Sequence, residues 1–126
     1  MPGKCALVVD DSPDSAMLLA RVLKLCGFSV DTAADGVTAL EKASKSSFDL
    51  IFLDIGLPEM DGFDLARLLR ARPATRDARL VAVTGFTSSE DQERARAAGF
   101  DQFVSKPIDI AYIRSLVREM TGLSAP

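Results

Sequence analysis

Residues 50–62, LIFLDIGLPEMDG, decide how this chain folds. They open on four apolar residues, and such a continuous run is typical of a strand that is buried on both faces of a parallel sheet. Asp54 follows the run directly, so its carboxylate is expected at the carboxyl end of a central strand, where open α/β sheets bind ligands. Asp61 then caps a predicted helix that begins at Gly62. Taken alone, the stretch also fits an ordinary strand–loop–helix unit.

Strand and helix patterns alternate along the whole chain. The predicted strands cover residues 5–9, 28–33, 48–53, 80–83 and 100–105, and the predicted helices cover 13–25, 37–45, 62–71 and 88–98, with a last helix after Asp109. Such alternation demands a parallel sheet with helices on both faces and right-handed crossovers. The fourth helix has a weak apolar face, which predicts loose packing and mobility. Its charged residues form either a solvated face or part of a partner surface.

Composition limits the class of protein. A chain of 126 residues with 48% hydrophobic residues fits one domain with a real core. No apolar run approaches the length of a membrane span and no signal-peptide core is present, so we expect a cytoplasmic protein without membrane contact. The net charge of −3 argues against direct binding of nucleic acid. Cys5 and Cys26 have the spacing of neither a zinc site nor a disulfide framework, which predicts buried reduced thiols.

The sequence contains no histidine. This excludes a Ser-His-Asp triad, histidine-ligated zinc and a phosphohistidine on this chain. The glycine patterns of the two common nucleotide-binding loops are absent as well. The chemistry of the chain must therefore come from other side chains.

Charged and polar residues follow four of the predicted strands: Asp10, Asp11, Asp54, Thr84 and Lys106. If the first and third strands are neighbours, all of them converge on one edge of the sheet. Three carboxylates in one place repel each other unless a cation neutralises them. Carboxylate oxygens with open positions for water suit Mg²⁺.

A lysine and a threonine at the same edge indicate that the site also receives a phosphoryl group. Lys106 supplies a point charge for one phosphoryl oxygen, and the Thr84 hydroxyl donates a hydrogen bond to another. No serine, cysteine or histidine is placed as a nucleophile. The candidate acceptor is Asp54, which would attack phosphorus in line and form an acyl phosphate.

Five motifs stand in a fixed order along the chain: VVDD at 8–11, ADGVTAL at 34–40, LDIGLPEMDG at 53–62, VTG at 83–85 and SKP at 105–107. With these motifs the sequence resembles the receiver domain of bacterial two-component response regulators over residues 4 to 121. The resemblance implies a flavodoxin-like (βα)₅ fold, a doubly wound parallel sheet in the order 2-1-3-4-5. It also implies that residues 1–126 form a single receiver domain.

The resemblance implies a role for each site residue. Asp54 is the phospho-acceptor, Asp11 is a direct Mg²⁺ ligand, and Asp10 acts on the metal largely through water. The remaining roles fall to the backbone carbonyl of Gly56 as a further metal ligand, to Thr84 and Lys106 on the phosphoryl oxygens, and to Pro107 as the second residue of a cis peptide bond.

The resemblance also implies an aromatic switch at Phe103. In the family this ring rotates inward as the threonine hydroxyl is drawn to the phosphoryl group, which repacks the face made by helix four, strand five and helix five. The chain has Phe where Tyr is frequent. At the two positions that tune dephosphorylation it has Gly56 and Phe86. We expect Phe86 to shield the acyl phosphate and Gly56 to orient no water, giving a long phosphoryl lifetime. A Phe86→Glu variant that lost the phosphoryl group no faster would contradict this.

The expected phosphodonor is a phosphohistidine on a sensor histidine kinase or a histidine phosphotransfer domain. The output is contact with a downstream protein partner, or a homodimer through the helix 4/strand 5/helix 5 face. Residues 84–108 look most like receivers attached to hybrid sensor histidine kinases. Because no effector domain follows, the chain is expected to be either a stand-alone regulator or a receiver excised from a larger protein.

Three alternatives remain beside this interpretation. A Mg²⁺-dependent phosphatase with an aspartate nucleophile usually needs a second carboxylate two residues later, where this chain has Gly56. A flavin-binding electron carrier needs a Ser-, Thr- and Gly-rich loop after the first strand, where this chain has DDSP at 10–13. A protein-interaction module that is never phosphorylated is disfavoured, because every phosphotransfer position is filled.

Overall fold

The computed structural model describes residues 4–57, 60–85 and 88–121. Strands and helices alternate in it as β1 (Lys4–Val9), α1 (Pro13–Leu25), β2 (Phe28–Ala33), α2 (Gly36–Lys45), β3 (Leu50–Asp54), α3 (Gly62–Ala71), β4 (Arg79–Thr84), α4 (Ser89–Ala98), β5 (Gln102–Ser105) and α5 (Ile110–Thr121). The strands form one parallel sheet in the order β2-β1-β3-β4-β5. The predicted fold and strand order are therefore confirmed.

β3 is the central strand, and all five of its residues are buried. It pairs with β1 on one side and β4 on the other, with Val9 opposite Leu53 and Asp54 opposite Val83. Because all strands run in the same direction, the residues that follow β1, β3, β4 and β5 meet at one edge.

The sheet has a core on each face, because successive strand residues point to opposite sides. Leu7, Ile51 and Leu53 pack in the core covered by α2, α3 and α4. Val8 and Phe52 pack in the other core, which α1 and α5 cover. This double coverage explains why the strands are continuous apolar runs rather than alternating ones.

A polar side chain caps the start of each helix, as the sequence predicts for Asp61. The carboxylate of Asp61 accepts a hydrogen bond from the N–H of Phe63 at 2.8 Å, and that of Asp35 accepts one from the N–H of Thr38 at 2.7 Å. The bond from Thr38 holds the pKa of Asp35 below its ordinary value. Ser12, Ser88 and Asp109 cap α1, α4 and α5 in the same way.

Two strand starts predicted from sequence are wrong by two residues. The strand predicted at 48–53 begins at Leu50, because the Asp49 side chain accepts the hydrogen bond of the Cys5 N–H at 2.9 Å and the ladder starts after it. The strand predicted at 100–105 begins at Gln102, because the Phe100 N–H still bonds to the carbonyl of Ala95 in α4.

Two leucines within the apolar patterns of α1 and α3 are exposed. Leu25 is 60% exposed and Leu68 is 45% exposed. Leu25 lies two residues beyond the fully buried Leu23, a rotation of about 200° around the helix that turns its side chain away from the sheet. Leu68 similarly lies about 100° from the buried Leu69.

α4 has little apolar contact with the sheet, as predicted from its composition. Its buried residues are Ala95 and Ala98. It ends at Gly99, which has a φ of 107° in the left-handed region that glycine adopts without strain. None of the helices in the described residues is long and apolar enough to cross a membrane.

Candidate functional site

Three carboxylates meet at the carboxyl edge of the sheet. Asp10 and Asp11 follow β1, and Asp54 ends β3; one carboxylate oxygen from each lies within 4.8 Å of the others. Asp10 is 3% exposed and Asp54 is 6% exposed, whereas Asp11 is open to solvent. The structure thus brings together the acidic cluster that the sequence predicted.

Backbone amides orient the two buried carboxylates. Oδ1 of Asp10 accepts a hydrogen bond from the N–H of Ser12 at 2.9 Å, and Oδ1 of Asp54 accepts one from the N–H of Gly56 at 2.9 Å. The Oδ2 atoms of both residues take no part in these bonds. Oδ2 of Asp10 is buried and has no hydrogen-bond partner among the described residues.

Lys106 joins this cluster from the end of β5. Its Nζ lies 3.1 Å from Oδ2 of Asp54 and 3.5 Å from Oδ2 of Asp10. The backbone N–H of Lys106 donates to the carbonyl of Thr84 at 2.8 Å, and the bond to Pro107 is cis, the isomer that the resemblance implied. Burial by itself lowers the pKa of Lys106, but the two carboxylates outweigh it and raise this pKa above its ordinary value.

Burial is the largest cause that raises the pKa of the Asp10 carboxyl. The hydrogen bond from Ser12 and the charge of Lys106 oppose the rise, while the neighbouring Asp54 carboxylate adds to it. Asp10 is therefore a carboxylate held at a cost in solvation and repulsion. The folded chain stores this cost at the place where a cation would relieve it.

The side chains of this cluster fit a magnesium ion. The donors are hard carboxylate oxygens, one of which is buried and accepts no hydrogen bond from the described residues, and an exposed third carboxylate leaves room for water. Asp10, Asp11 and Asp54 would hold the ion. The lysine already present supplies only part of the compensating charge, one cation against three carboxylates.

Thr84 ends β4 beside this cluster and is 2% exposed. It lines a cavity of about 410 Å³ next to Asp54, together with Gly56 and Leu57 on the β3–α3 side and Arg94 on the α4 side. The cavity lies between the residues that follow β3 and those of α4, and Asp54 itself does not line it.

The remaining predicted residues lie in different surroundings. Gly56 is exposed, and its carbonyl as a metal ligand stays a prediction. Phe103 on β5 is half-buried and packs against the core on the α4 side. Phe86 lies outside the described residues, so its shielding role also stays a prediction.

Sequence reasoning missed a contact that joins α4 to α3. The Arg94 guanidinium carbon lies 4.4 Å from the centre of the Phe63 ring, and Nη2 of Arg94 lies 3.9 Å from Oδ2 of Asp61. This is a cation–π contact beside a long ion pair. The only sequence signal was an arginine within a helix that looked uniformly solvated.

Replacing Asp10 with asparagine is expected to stabilise the metal-free protein by about 1 kcal/mol near neutral pH, because the change removes a buried, partly unsatisfied charge. A raised pKa in the folded state means that wild-type stability falls as the pH rises from the unfolded value of 3.8 through the folded value. Urea unfolding with a chelator present measures both effects.

Asp77→Asn is the matched control, because the Asp77 side chain is 90% exposed. It should leave the free energy of unfolding unchanged. Added Mg²⁺ should then stabilise the wild type and the Asp77 variant more than the Asp10 variant, since binding to the folded state adds to stability. A destabilised Asp10→Asn variant in chelator would show that the cluster is not strained by its own charge.

Comparison with known proteins gives a consistent result. Residues 6–118 match the family model described as the response regulator receiver domain. The chain is 39% identical over 119 residues to hybrid signal transduction histidine kinase L of Dictyostelium discoideum, covering 90% of this chain and 7% of that protein. It is 37% identical over 115 residues to response regulator PleD of Caulobacter vibrioides, covering 91% of this chain and 25% of that protein.

Solved structures share the fold over nearly the whole length of both chains. Chemotaxis response regulator CheY4 of Vibrio cholerae superposes with a TM-score of 0.88 at 30% identity, covering 94% of this chain and 98% of that one. The receiver domain of sensor histidine kinase PA1611 from Pseudomonas aeruginosa has a TM-score of 0.85 at 28% identity, covering 96% and 99%; that structure has a magnesium ion coordinated in its active-site cleft.

The chain spans a quarter or less of the length of the two curated relatives, 25% of one and 7% of the other. Those relatives include both a hybrid histidine kinase and a response regulator, so the shared part is the receiver itself. With a family match over residues 6–118 and the strand order of the fold, this chain belongs to the response regulator receiver domain family of two-component signalling proteins.

Proposed function

We propose that this domain takes a phosphoryl group onto Asp54 from a phosphohistidine on a sensor histidine kinase or a histidine phosphotransfer domain, with Mg²⁺ bound beside it. One observation carries the proposal: the Lys106 ammonium lies 3.1 Å from Oδ2 of Asp54 and 3.5 Å from the buried Oδ2 of Asp10, which accepts no hydrogen bond within the described residues. This arrangement places the acceptor carboxylate beside a lysine cation and beside a second carboxylate that could help to hold a metal ion.

In the transfer step, an Asp54 oxygen attacks phosphorus in line with the bond to the donor nitrogen. A P–O bond forms as the P–N bond breaks, and the electron pair of that bond returns to the donor imidazole. The Lys106 ammonium exchanges its contact with the Asp54 carboxylate for one with a phosphoryl oxygen, and the Thr84 hydroxyl donates a hydrogen bond to another phosphoryl oxygen. The Gly56 N–H keeps Asp54 in its orientation through Oδ1.

Bound Mg²⁺ would supply positive charge that offsets both the carboxylates and the phosphoryl oxygens. Asp11 would bind it directly, Asp10 largely through water, and the Gly56 carbonyl would complete the protein ligands beside Asp54. The exposure of Asp11 and the burial of Asp10 are consistent with these two roles.

The test is the intact mass of the protein after incubation with acetyl phosphate, with and without Mg²⁺. We expect the wild type to gain one phosphoryl group only when Mg²⁺ is present, and Asp54→Asn to gain none. Asp49→Asn is a matched control at the opposite edge of the sheet, and it should gain the group like the wild type.

A phosphorylated Asp54→Asn variant would contradict the assignment of the acceptor. If the wild type gains no phosphoryl group from acetyl phosphate, a purified phosphohistidine donor replaces it in the same assay. Failure with both donors, together with no Mg²⁺ binding in a titration, would identify an interaction module that is not phosphorylated.

We further propose that phosphorylation switches the α4–β5–α5 face through Phe103. The half-buried ring lines a second cavity, of about 450 Å³, between β5 and α4, with Ala95 and Arg96 on its other side. A ring in this place has space to move against a helix that has few buried residues. The switched face would then bind a downstream protein or a second copy of the domain.

A Phe103→Trp variant would report this motion, because the chain contains no other tryptophan. We expect its emission to shift to shorter wavelength when acetyl phosphate and Mg²⁺ are added, as the ring becomes more buried. The same substitution combined with Asp54→Asn should show no shift. An unchanged spectrum in a sample whose mass confirms phosphorylation would contradict the switch.

We regard the domain as a signalling phospho-acceptor that catalyses its own phosphorylation and slow dephosphorylation, acting as one receiver module. A cytoplasmic location fits Cys5 and Cys26, which are not joined in a disulfide. Gly56, which has no side chain to orient water, supports the proposed long lifetime. The kinase relatives make a place within a hybrid histidine kinase one of its two possible contexts.

A further inference from the structure

Arginines are concentrated in residues 67–79, RLLRARPATRDAR, which have five arginines and one aspartate in a chain of net charge −3. Several of these arginines donate hydrogen bonds to other groups of the domain. Nη1 of Arg67 donates to Oδ1 of Asp64 at 2.9 Å, and Nη1 of Arg72 donates to the carbonyl of Leu40 at 3.2 Å. These bonds stabilise α3 and join its end to α2, which explains the positions of these two arginines.

Arg70 is engaged most completely. Its guanidinium donates to the carbonyls of Arg76, Ala78 and Gly99 and to the carboxylate of Asp101, at distances of 2.5 to 2.9 Å. It ties α3 to the end of α4 and to the start of β4. Because the N–H groups of its guanidinium already donate to these partners, Arg70 stabilises this surface and has no donor left for a ligand.

Arg76 and Arg79 are not engaged in this way, and Arg96 from α4 joins them. Nε of Arg76 lies 3.8 Å from Oδ1 of the neighbouring Asp77, a long contact between two exposed side chains. In the described part of the chain, no hydrogen bond or ion pair to a side chain is found for Arg79 or Arg96. All three residues are exposed.

These three arginines line one open concavity of about 560 Å³, together with Gly99 and Phe100. We call it the arginine concavity. Arg96 also lies in the last turn of α4, where a cation is favourable for the helix, so its own helix explains its position there. That reason does not apply to Arg79 at the start of a strand, and it does not explain why three arginines line the same concavity.

The arginine concavity lies at the opposite edge of the sheet from Asp54. Arg79 is the first residue of β4, whereas Thr84 at the phosphoryl site is the last. A molecule bound at one edge therefore leaves the other edge accessible. This separates the concavity from both the transfer site and the metal.

We propose that the arginine concavity docks an acidic protein segment whose carboxylates pair with Arg76, Arg79 and Arg96. Guanidinium groups pair with carboxylates through two parallel hydrogen bonds, and an open groove suits an extended segment. Nucleic acid is disfavoured, because phosphate backbones need a broadly basic face and here Asp77 and Asp101 line the same concavity in an acidic chain. A protein segment can space its carboxylates around both.

The probe is fluorescein-labelled hexaglutamate, and its anisotropy is measured against the unphosphorylated domain. We expect saturable binding that weakens about tenfold when NaCl is raised from about 20 mM to about 200 mM. The double substitution Arg79→Gln and Arg96→Gln should weaken binding about fivefold or more. Asp54→Asn should bind like the wild type, which makes this result independent of the proposed phosphotransfer.

The matched control is Arg21→Gln with Arg118→Gln, which removes the same charge from exposed arginines on α1 and α5. It should change the affinity by less than about twofold. The proposal is overturned by absence of saturable binding, or by equal weakening in the two double variants. It is also overturned if a short DNA duplex displaces the labelled probe at lower concentration than unlabelled hexaglutamate does. Equal thermal unfolding of the variants excludes misfolding as the cause.

Discussion

Replacing Lys106 with methionine is expected to slow phosphorylation of Asp54 by about 100-fold. Methionine keeps the length of the side chain but removes the ammonium that lies 3.1 Å from Oδ2 of Asp54. In the transfer step this charge would balance a phosphoryl oxygen within a largely buried site, where loss of one charged donor is costly. The initial rate of phosphorylation by acetyl phosphate at saturating Mg²⁺, followed by intact mass, measures the effect.

Lys45→Met is the matched control, because Lys45 is an exposed lysine at the end of α2. Its rate should equal that of the wild type. The Lys106 variant should still bind Mg²⁺, since the ammonium competes with the metal for Asp10 and Asp54. A Lys106→Met rate within about twofold of the wild type would show that Lys106 only holds the free site together.

The fold and the acidic cluster were predictable because each rests on a local pattern. Continuous apolar runs identify buried parallel strands, and a charged residue directly after such a run must lie at the carboxyl edge. For that reason Asp10, Asp54 and Lys106 could be assigned to one place although 96 positions separate the first from the last. β1 pairs with β3, which brings the residues that follow these two strands side by side.

The errors in strand starts have a different origin. Phe48 and Phe100 are apolar and buried, so they look like the first residues of strands. Where a strand begins depends on which partner its amides find, and both errors arise because a nearby amide bonds outside the ladder. Hydrophobic patterning contains no information about those partners.

Contacts between distant side chains could not be predicted for a related reason. Arg70 reaches Gly99 and Asp101, which lie 29 and 31 positions further along the chain. Arg94 in α4 similarly contacts the ring of Phe63 in α3. A charged residue on an amphipathic helix has the same pattern whether it is solvated or bonded, so only the packing of α3 against α4 distinguishes the two.

Gly62→Ala is expected to destabilise the protein by about 3 kcal/mol, a loss of roughly 10 °C in the midpoint of thermal unfolding. A β-carbon at this position would lie 2.6 Å from the α-carbon of Ile55 and 3.1 Å from the carbonyl oxygens of Asp54 and Ile55. These are backbone atoms, which cannot rotate away as a side chain can. Thermal unfolding followed by circular dichroism measures the loss.

Gly85→Ala is the matched control, since a β-carbon there meets no atom of the described residues within 4 Å. It should change the free energy of unfolding by less than about 0.5 kcal/mol. A second readout separates general destabilisation from a local effect on the site. Below its unfolding transition, Gly62→Ala should also be phosphorylated more slowly, because relief of the clash must move either α3 or the residues that hold Asp54.

The direction of that movement follows from what is fixed on each side. α3 is anchored by Phe63, Ala66 and Leu69, all of them buried, whereas the residues directly after Asp54 belong to a loop. The loop is the softer side, so we expect Ile55 and Gly56 to shift and the hydrogen bond from Gly56 to Asp54 Oδ1 to lengthen. Wild-type phosphorylation rates in a destabilised Gly62→Ala protein would instead show that α3 yields, and that Asp54 keeps its orientation without the loop.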